Sequence, residues 1–238
     1  MELDSVQIGV GDLSEAARAY QLLLGIAPGR ATGGGCRFQL QRGAVELDSG
    51  QAGLHAITFV SEPETSVTWP IERASFHGLD VRVAARGAWQ RPALTAAGTA
   101  IAIDHVVVHT CDLDRATTLW RDRLGVRLAL DREFPARGLR MCFFRSAGIT
   151  LEFVGSLPPP PDRSEPDRFY GIAYQVVDLV ACHHRLQHAG LDVSRIRPGH
   201  KPGTSVATVR SGTAGVPTLL IENTAEGLAH AVPGRAVR

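Results

Sequence analysis

The chain of 238 residues has no apolar run near the roughly 20 residues a membrane helix needs. Charge of neither sign is in excess, with 25 Lys and Arg against 24 Asp and Glu and a net charge of +1. That balance gives no reason to expect nucleic acid or membrane as a partner. Cysteine is sparse and scattered. Cys36, Cys111, Cys142 and Cys182 form no Cys-x-x-Cys pair, so neither a zinc knot nor a disulfide framework is indicated. The opening Met1-Glu2-Leu3-Asp4 lacks the charged-then-apolar pattern of a signal peptide. Reduced thiols and a cytoplasmic, globular protein are the expectation, and 44% hydrophobic residues suffice for a substantial core.

What the chain does have is repetition. Leu3-Asp4-Ser5-Val6 leads to Asp12-Leu13 and a helical run ending at Leu24-Gly25. Ile103-Asp104-His105-Val106 leads to Asp112-Leu113 and a helical run ending at Leu124-Gly125, 100 positions later throughout. A fixed offset means copies of one supersecondary unit. At one place the copies differ, with Ser5 in the first and His105 in the second.

Each unit reads strand, helix, then further strands. Val6, Ile8 and Val10 alternate with polar or small residues at the period of a half-buried strand. Ser14 is the expected N-cap of the first helix, and Gly25 its left-handed C-cap. Arg37–Gln41 and Ala44–Leu47 read as a hairpin, as do Arg140–Arg145 and Ile149–Val154. Another unit opens at Gly171-Ile172-Ala173-Tyr174, with a helix to about Gln187 and closing strands Thr204–Val209 and Thr218–Ile221. A weaker one opens at Ala56, broken by Pro63 and Pro70. Its His77-Gly78-Leu79-Asp80-Val81 echoes Ala189-Gly190-Leu191-Asp192-Val193, which suggests cognate elements. The fold class expected is α+β: tandem βαβββ units forming curved mixed sheets around a cavity, four units with the second degenerate. The units span about 3–50, 53–100, 103–156 and 169–224. They group into an N-terminal domain 1–100, a C-terminal domain 101–226 and a tail 227–238, with Pro158–Pro161 as a stiff connector between units three and four.

These units, with the Ile-Asp-His-Val opening and the closing Leu-Ile-Glu-Asn strand, resemble the vicinal oxygen chelate superfamily. That group includes glyoxalase I, methylmalonyl-CoA epimerase, extradiol dioxygenases and bleomycin- and fosfomycin-resistance proteins. The resemblance implies paired units enclosing a cavity, with a divalent metal held by the first and last strands of each unit. Carried over residue by residue, it implies His105, Glu152 and Glu222 as metal ligands, with Glu152 or Glu222 as general base. The fourth ligand place, usually histidine, is Gly171.

Strand parity puts His105, Val107 and His109 on one face, and Gly171, Ala173 and Gln175 on the matching face of unit four. His109 and Gln175 are therefore candidates for contacting substrate. An imidazole and two carboxylates suit Zn, Fe, Mn, Co or Ni with open positions. Plainer readings stand beside these: a hydrogen-bonded core histidine at 105, an edge carboxylate at 152, a rim carboxylate at 222. His183, His184 and His188 read as surface, and His55 falls on the wrong parity. The glycines 33–35 read as a flexible hairpin, and Arg197–Gly203 as a basic loop that is either lid or connector. With Ser5 and Ala56 at its first-strand places, the N-terminal half is expected to hold no metal.

The function expected is a metal-dependent glyoxalase-, epimerase- or lyase-type enzyme acting on a small molecule with vicinal oxygens. The rival is a metal-free binding protein like the antibiotic-sequestering, bleomycin resistance-like members. An extradiol, dioxygenase-like activity is a third reading. The expected partner is a small molecule, and the chain is expected to be a monomer or homodimer.

Overall fold

The structure, a computed structural model, describes residues 2–31, 33–61, 73–85, 92 and 97–223. The tail 227–238 and the segment holding Pro63 and Pro70 lie outside them.

The strands in chain order are β1 (Glu2–Val10), β2 (Gly29–Arg30), β3 (Cys36–Gln39), β4 (Ala44–Ser49), β5 (Gly53–Ser61), β6 (Asp80–Ala85) and β7 (Ala100–His109). They continue with β8 (Arg127–Phe134), β9 (Leu139–Ser146), β10 (Ile149–Ser156), β11 (Arg168–Val176), β12 (Arg197–Pro198), β13 (Thr204–Val209) and β14 (Thr218–Asn223). The helices are α1 (Leu13–Leu24), α2 (Leu113–Thr117), prolonged by a π-helical stretch Thr118–Arg123, and α3 (Leu179–His188).

Two mixed sheets result. The first runs β2-β3-β4-β1-β5-β6 and the second β12-β13-β14-β11-β7-β10-β9-β8. In each full unit the last strand returns parallel beside the first: β4 on β1, β10 on β7, β14 on β11. First strands then pair antiparallel, β1 with β5 and β7 with β11, joining units two by two.

Each helix starts at an aspartate, not at the serine expected for α1. Asp12 Oδ1 accepts from the Glu15 amide at 2.9 Å, while Asp112 and Asp178 do the same for α2 and α3. A carboxylate there satisfies an amide that has no partner within the helix, and it complements the helix dipole. Gly25 takes φ 73°, the left-handed cap anticipated from the sequence. The wider π turn ends with the Leu124 amide bonded to the Leu119 carbonyl and leaves Leu119 and Trp120 buried.

The degenerate unit differs from its sequence echo. Asp80–Ala85 is a strand parallel to β5, in the place a last strand takes. The echoing Leu191–Ser194 is a connection touching β13 through one bridge, Val193–Val209. The local sequence is alike, but the strand β6 exists because β5 offers it an edge.

One apolar core lies on the helix side of both sheets. Trp120 joins Phe76 of the degenerate unit to Phe153 of β10, with centroids 5.7 Å away in each case. The halves are also stitched by polar contacts. Arg185 on α3 donates to the Leu22 and Leu23 carbonyls at the end of α1, where carbonyls lack helical partners. The β3–β4 turn adds to the start of β7, with the Gln41 amide bonded to the Ile101 carbonyl at 2.9 Å. The opposite face of the second sheet carries no helix among the described residues and holds the candidate site.

Candidate functional site

Paired residues in a sheet share a face and sit side by side at about 4.8 Å spacing. The register therefore writes the open face of the second sheet as rows. One row runs Leu219, Ala173, His105, Thr150, Arg145, Arg127 across β14, β11, β7, β10, β9 and β8. The next places Glu152 between Val107 and Phe143.

His105 and Glu152 are half-buried neighbours, with Nε2 4.0 Å from Oε2. Nδ1 of His105 lies 2.9 Å from Oδ2 of Asp104. Burial raises the Asp104 carboxyl, but the hydrogen bond from His105 and the charges of His105, Lys201 and Arg145 outweigh this and hold it below the ordinary range. It is an ionised acceptor, so Nδ1–H donates and Nε2 is left facing Glu152. Burial lowers His105, but the Asp104 bond and the charges of Glu152 and Asp104 prevail and raise it. Glu152 is raised by burial, against the opposing charges of His105 and His200.

The signs give a stability profile. The raised imidazolium contributes stability that is complete below its ordinary value of about 6.5 and lost as pH rises through the raised one. Glu152, also raised, costs stability as it ionises, acting in the same direction. Asp104, lowered, contributes stability above the ordinary Asp value and loses it as pH falls through its own lowered one. Melting temperature followed from pH 5 upward is expected to fall through the region just above the ordinary histidine value, about 6.5. His105→Gln is expected to flatten that limb. A wild-type profile that does not fall there would contradict the charged pair.

Glu222 does not join this pair. It faces the helix side, beside Ser205, and its Oε2 accepts the Leu179 amide at 3.0 Å at the start of α3. Register explains the misassignment. Glu46 pairs with Gln7, two residues past Ser5, and Glu152 pairs with Val107, two past His105. In unit four the residue two past Gly171 is Ala173, and its partner is Leu219. The matching place is thus Leu219, three residues before Glu222 and of opposite parity. Glu222→Ala is expected to cost about 1 kcal/mol through loss of this cap, read by urea unfolding.

Gly171 sits where a Cβ would meet the Pro217 carbonyl oxygen at 2.7 Å. Around it, Ala173, Val206 and Ile221 form a small apolar cluster with Leu219. Unit three supplies both donors and unit four supplies apolar surface. Among the described residues no group of three or more His, Cys, Asp or Glu is placed to share a metal ion. The donor set does not fit a resident divalent ion of the glyoxalase kind, which needs three or more ligands.

The two substrate-contact candidates do lie on the open face. His109 is stacked on Tyr170, centroids 4.0 Å apart, and is lowered by burial and by the Arg168 charge. Gln175 is held by Arg42 of the N-terminal half, whose Nη2 is 2.5 Å from its Oε1. Sequence reasoning missed Asp104 and Arg42. Asp104 was visible in Asp-His, but its parity pointed to the other face. The irregular register between Ala173 and Tyr174 opposite it is what admits the contact with His105.

The N-terminal sheet shows what fills the corresponding place there. Arg37, 3% exposed, donates to Glu46 at 2.6 Å and to Asp4 at 3.1 Å. Gln7 donates to Ser5, Thr58 and Glu46. A guanidinium stands between Asp4 and Glu46, the counterparts of Asp104 and Glu152 in the second sheet.

Solved structures resemble this chain to different extents. The Mn(II)-bound glyoxalase from Novosphingobium aromaticivorans superposes with a TM-score of 0.69 at 20% identity, over 93% of this chain and 82% of that one. Methylmalonyl-CoA epimerase from Mycobacterium tuberculosis gives a TM-score of 0.46 at 22% identity, over 58% of this chain and 97% of that one. The search of curated proteins finds no match. Residues 104–208, which span β7 to β13 and contain His105 and Glu152, match the family model described as Glyoxalase/Bleomycin resistance protein/Dioxygenase superfamily. Residues 104–208 thus match that superfamily's model, and the paired βαβββ units give the chain the fold of the Mn(II)-bound glyoxalase.

Proposed function

We propose that the chain binds a small molecule on the open face of the second sheet and exchanges a proton with it through His105 and Glu152, without a resident divalent ion. The observation that carries this is the donor arrangement. His105 and Glu152 face each other, while Gly171 and Leu219 stand at the two matching places of unit four.

Asp104 fixes the imidazole by its Nδ1–H, so Nε2 is the working nitrogen. The 4.0 Å between Nε2 and Oε2 is too long for a hydrogen bond and leaves both groups free to bond a ligand. Glu152, raised by burial, holds its proton more readily than an ordinary carboxyl and can carry one to a ligand. An imidazole and a carboxyl turned to one substrate atom suit removing a proton and returning it, the chemistry of isomerases, epimerases and lyases.

The test is metal content and proton exchange. Protein purified without added metal is expected to carry well below one equivalent of divalent ion and to gain no thermal stability from Mn²⁺ or Zn²⁺. One equivalent that is lost in both His105→Ala and Glu152→Gln would restore the metal-dependent reading. The apolar cluster of Ala173, Val206 and Ile221 favours a second reading, a protein that sequesters its ligand. In deuterium oxide, uptake of deuterium by a bound ligand separates exchange from sequestration.

A further inference from the structure

The open face is unevenly charged. Arg145 and Arg127 continue the row of His105 beyond Thr150. Arg168 stands opposite His109, and Arg42 reaches in from the N-terminal half to Gln175. From the other flank comes the loop after β12, its turn held by Thr204 Oγ1 donating to the Lys201 carbonyl at 2.6 Å. Lys201 is the only lysine in the chain. Its charge, with that of Arg145, acts on Asp104, and that of His200 acts on Glu152, so the loop lies within charge range of the pair. Four strand spacings separate β12 from β7 within the sheet. Such reach requires the sheet to curl and bring the loop over the face.

Among the described residues, Arg42, Arg127, Arg145, Arg168 and Lys201 have no carboxylate within ion-pair distance. The face's carboxylates at the site are Asp104, spent on His105, and Glu152, which burial pushes toward its neutral form. Cations left unpaired beside a half-buried imidazole attract an anion. Phe143, Val107 and Leu219 lie in the same rows, and the whole chain has a net charge of only +1. Those two facts favour a small, partly apolar anion over a polyanion.

Building on the reading above, we propose that the ligand is a small molecule bearing an oxyanion, carboxylate or phosphate-type, on an apolar body. Its anionic end sits beside His105 between Arg145 and Lys201. Its body lies along Phe143, Val107 and Leu219.

The single lysine makes the test direct, because ¹³C-labelled lysine gives one side-chain signal. Benzoate, phenylphosphonate and benzyl alcohol are titrated while the Lys201 signal and the His105 ring signals are followed by NMR. Benzoate or phenylphosphonate is expected to shift both saturably, with dissociation constants near or below about 10 mM. Benzyl alcohol is expected to bind at least ~10-fold more weakly, because it offers the cations no charge. Lys201→Gln and Arg145→Gln, both solvent-facing changes, should each weaken the anion roughly 5-fold, read at His105. Response to one anion alone assigns the oxyanion type. Equal binding of benzyl alcohol at His105 would overturn the anion proposal and leave the binding face standing. Shifts at Lys201 with His105 unmoved would overturn the proposed position. No saturable shift from any probe would remove the face as a binding site, and the proposal with it.

Discussion

Leu219→Glu is expected to convert this chain into a divalent-metal binder, raising its affinity for Zn²⁺ or Ni²⁺ by about a hundredfold or more. The substitution places a carboxylate at the position of unit four that corresponds to Glu152 in unit three and Glu46 in unit one. With His105 and Glu152 it would complete three protein donors and leave a position for water or substrate. Even partners behind the ligands are worth roughly 10–100-fold in metal affinity, so a ligand itself should be worth at least that. Leu219 is only partly buried at the edge of a small cluster, so the new carboxylate can stay in contact with water. Gly171→His is a poorer route to the same end, since its Cβ would run into the Pro217 backbone. Isothermal titration of wild type, Leu219→Glu and Leu219→Glu with His105→Ala reads the result. No gain in the single variant, or a gain that survives loss of His105, would show that the register argument assigns the wrong place.

That argument also marks where the sequence stops being informative. The repeated units, their strands and the left-handed cap at Gly25 follow from alternation, glycine placement and the repeat, whereas the aspartate caps and the parallel return of each last strand came from the structure. That His105 and Glu152 share a face was legible for the same reason, because both lie in the unit that keeps the repeat best. Glu222 was misplaced because a side chain's face depends on register against the neighbouring strand, and a shift of odd length reverses it. In Leu220-Ile221-Glu222 nothing local tells which residue pairs with the strand of Gly171. The strand Asp80–Ala85 shows the same limit, since its pairing with β5 comes from tertiary context that its echo at 189–194 lacks. Arg42 and Lys201 reach the site from a hairpin turn and a loop whose positions depend on packing between distant segments.

Arg37→Met is expected to destabilise the fold by about 3–5 kcal/mol, the usual cost of removing one partner from a buried ion pair. Asp4 and Glu46 would be left facing each other around a hole, each about one-fifth exposed and without the charge that now bridges them. Gln7 cannot take over, because its amide nitrogen already serves Ser5, Thr58 and Glu46. Arg37→Lys should recover only part of the loss. The guanidinium contacts Asp4 through two nitrogens, Glu46 through one and Gln39 through Nε, a planar pattern an ammonium cannot reproduce. Adding Glu46→Gln to Arg37→Met should return stability by removing one stranded charge. The same logic fixes the pH response. The penalty in Arg37→Met should shrink as pH falls toward the ordinary carboxylate range of about 4, where protonation discharges the stranded groups. Urea unfolding of the three variants at pH 7 and near pH 4.5 separates these contributions. A loss below about 1 kcal/mol at pH 7 would place Arg37 among ordinary surface-type pairs. The full loss would mean that the guanidinium is what lets Asp4 and Glu46 lie side by side in the N-terminal half.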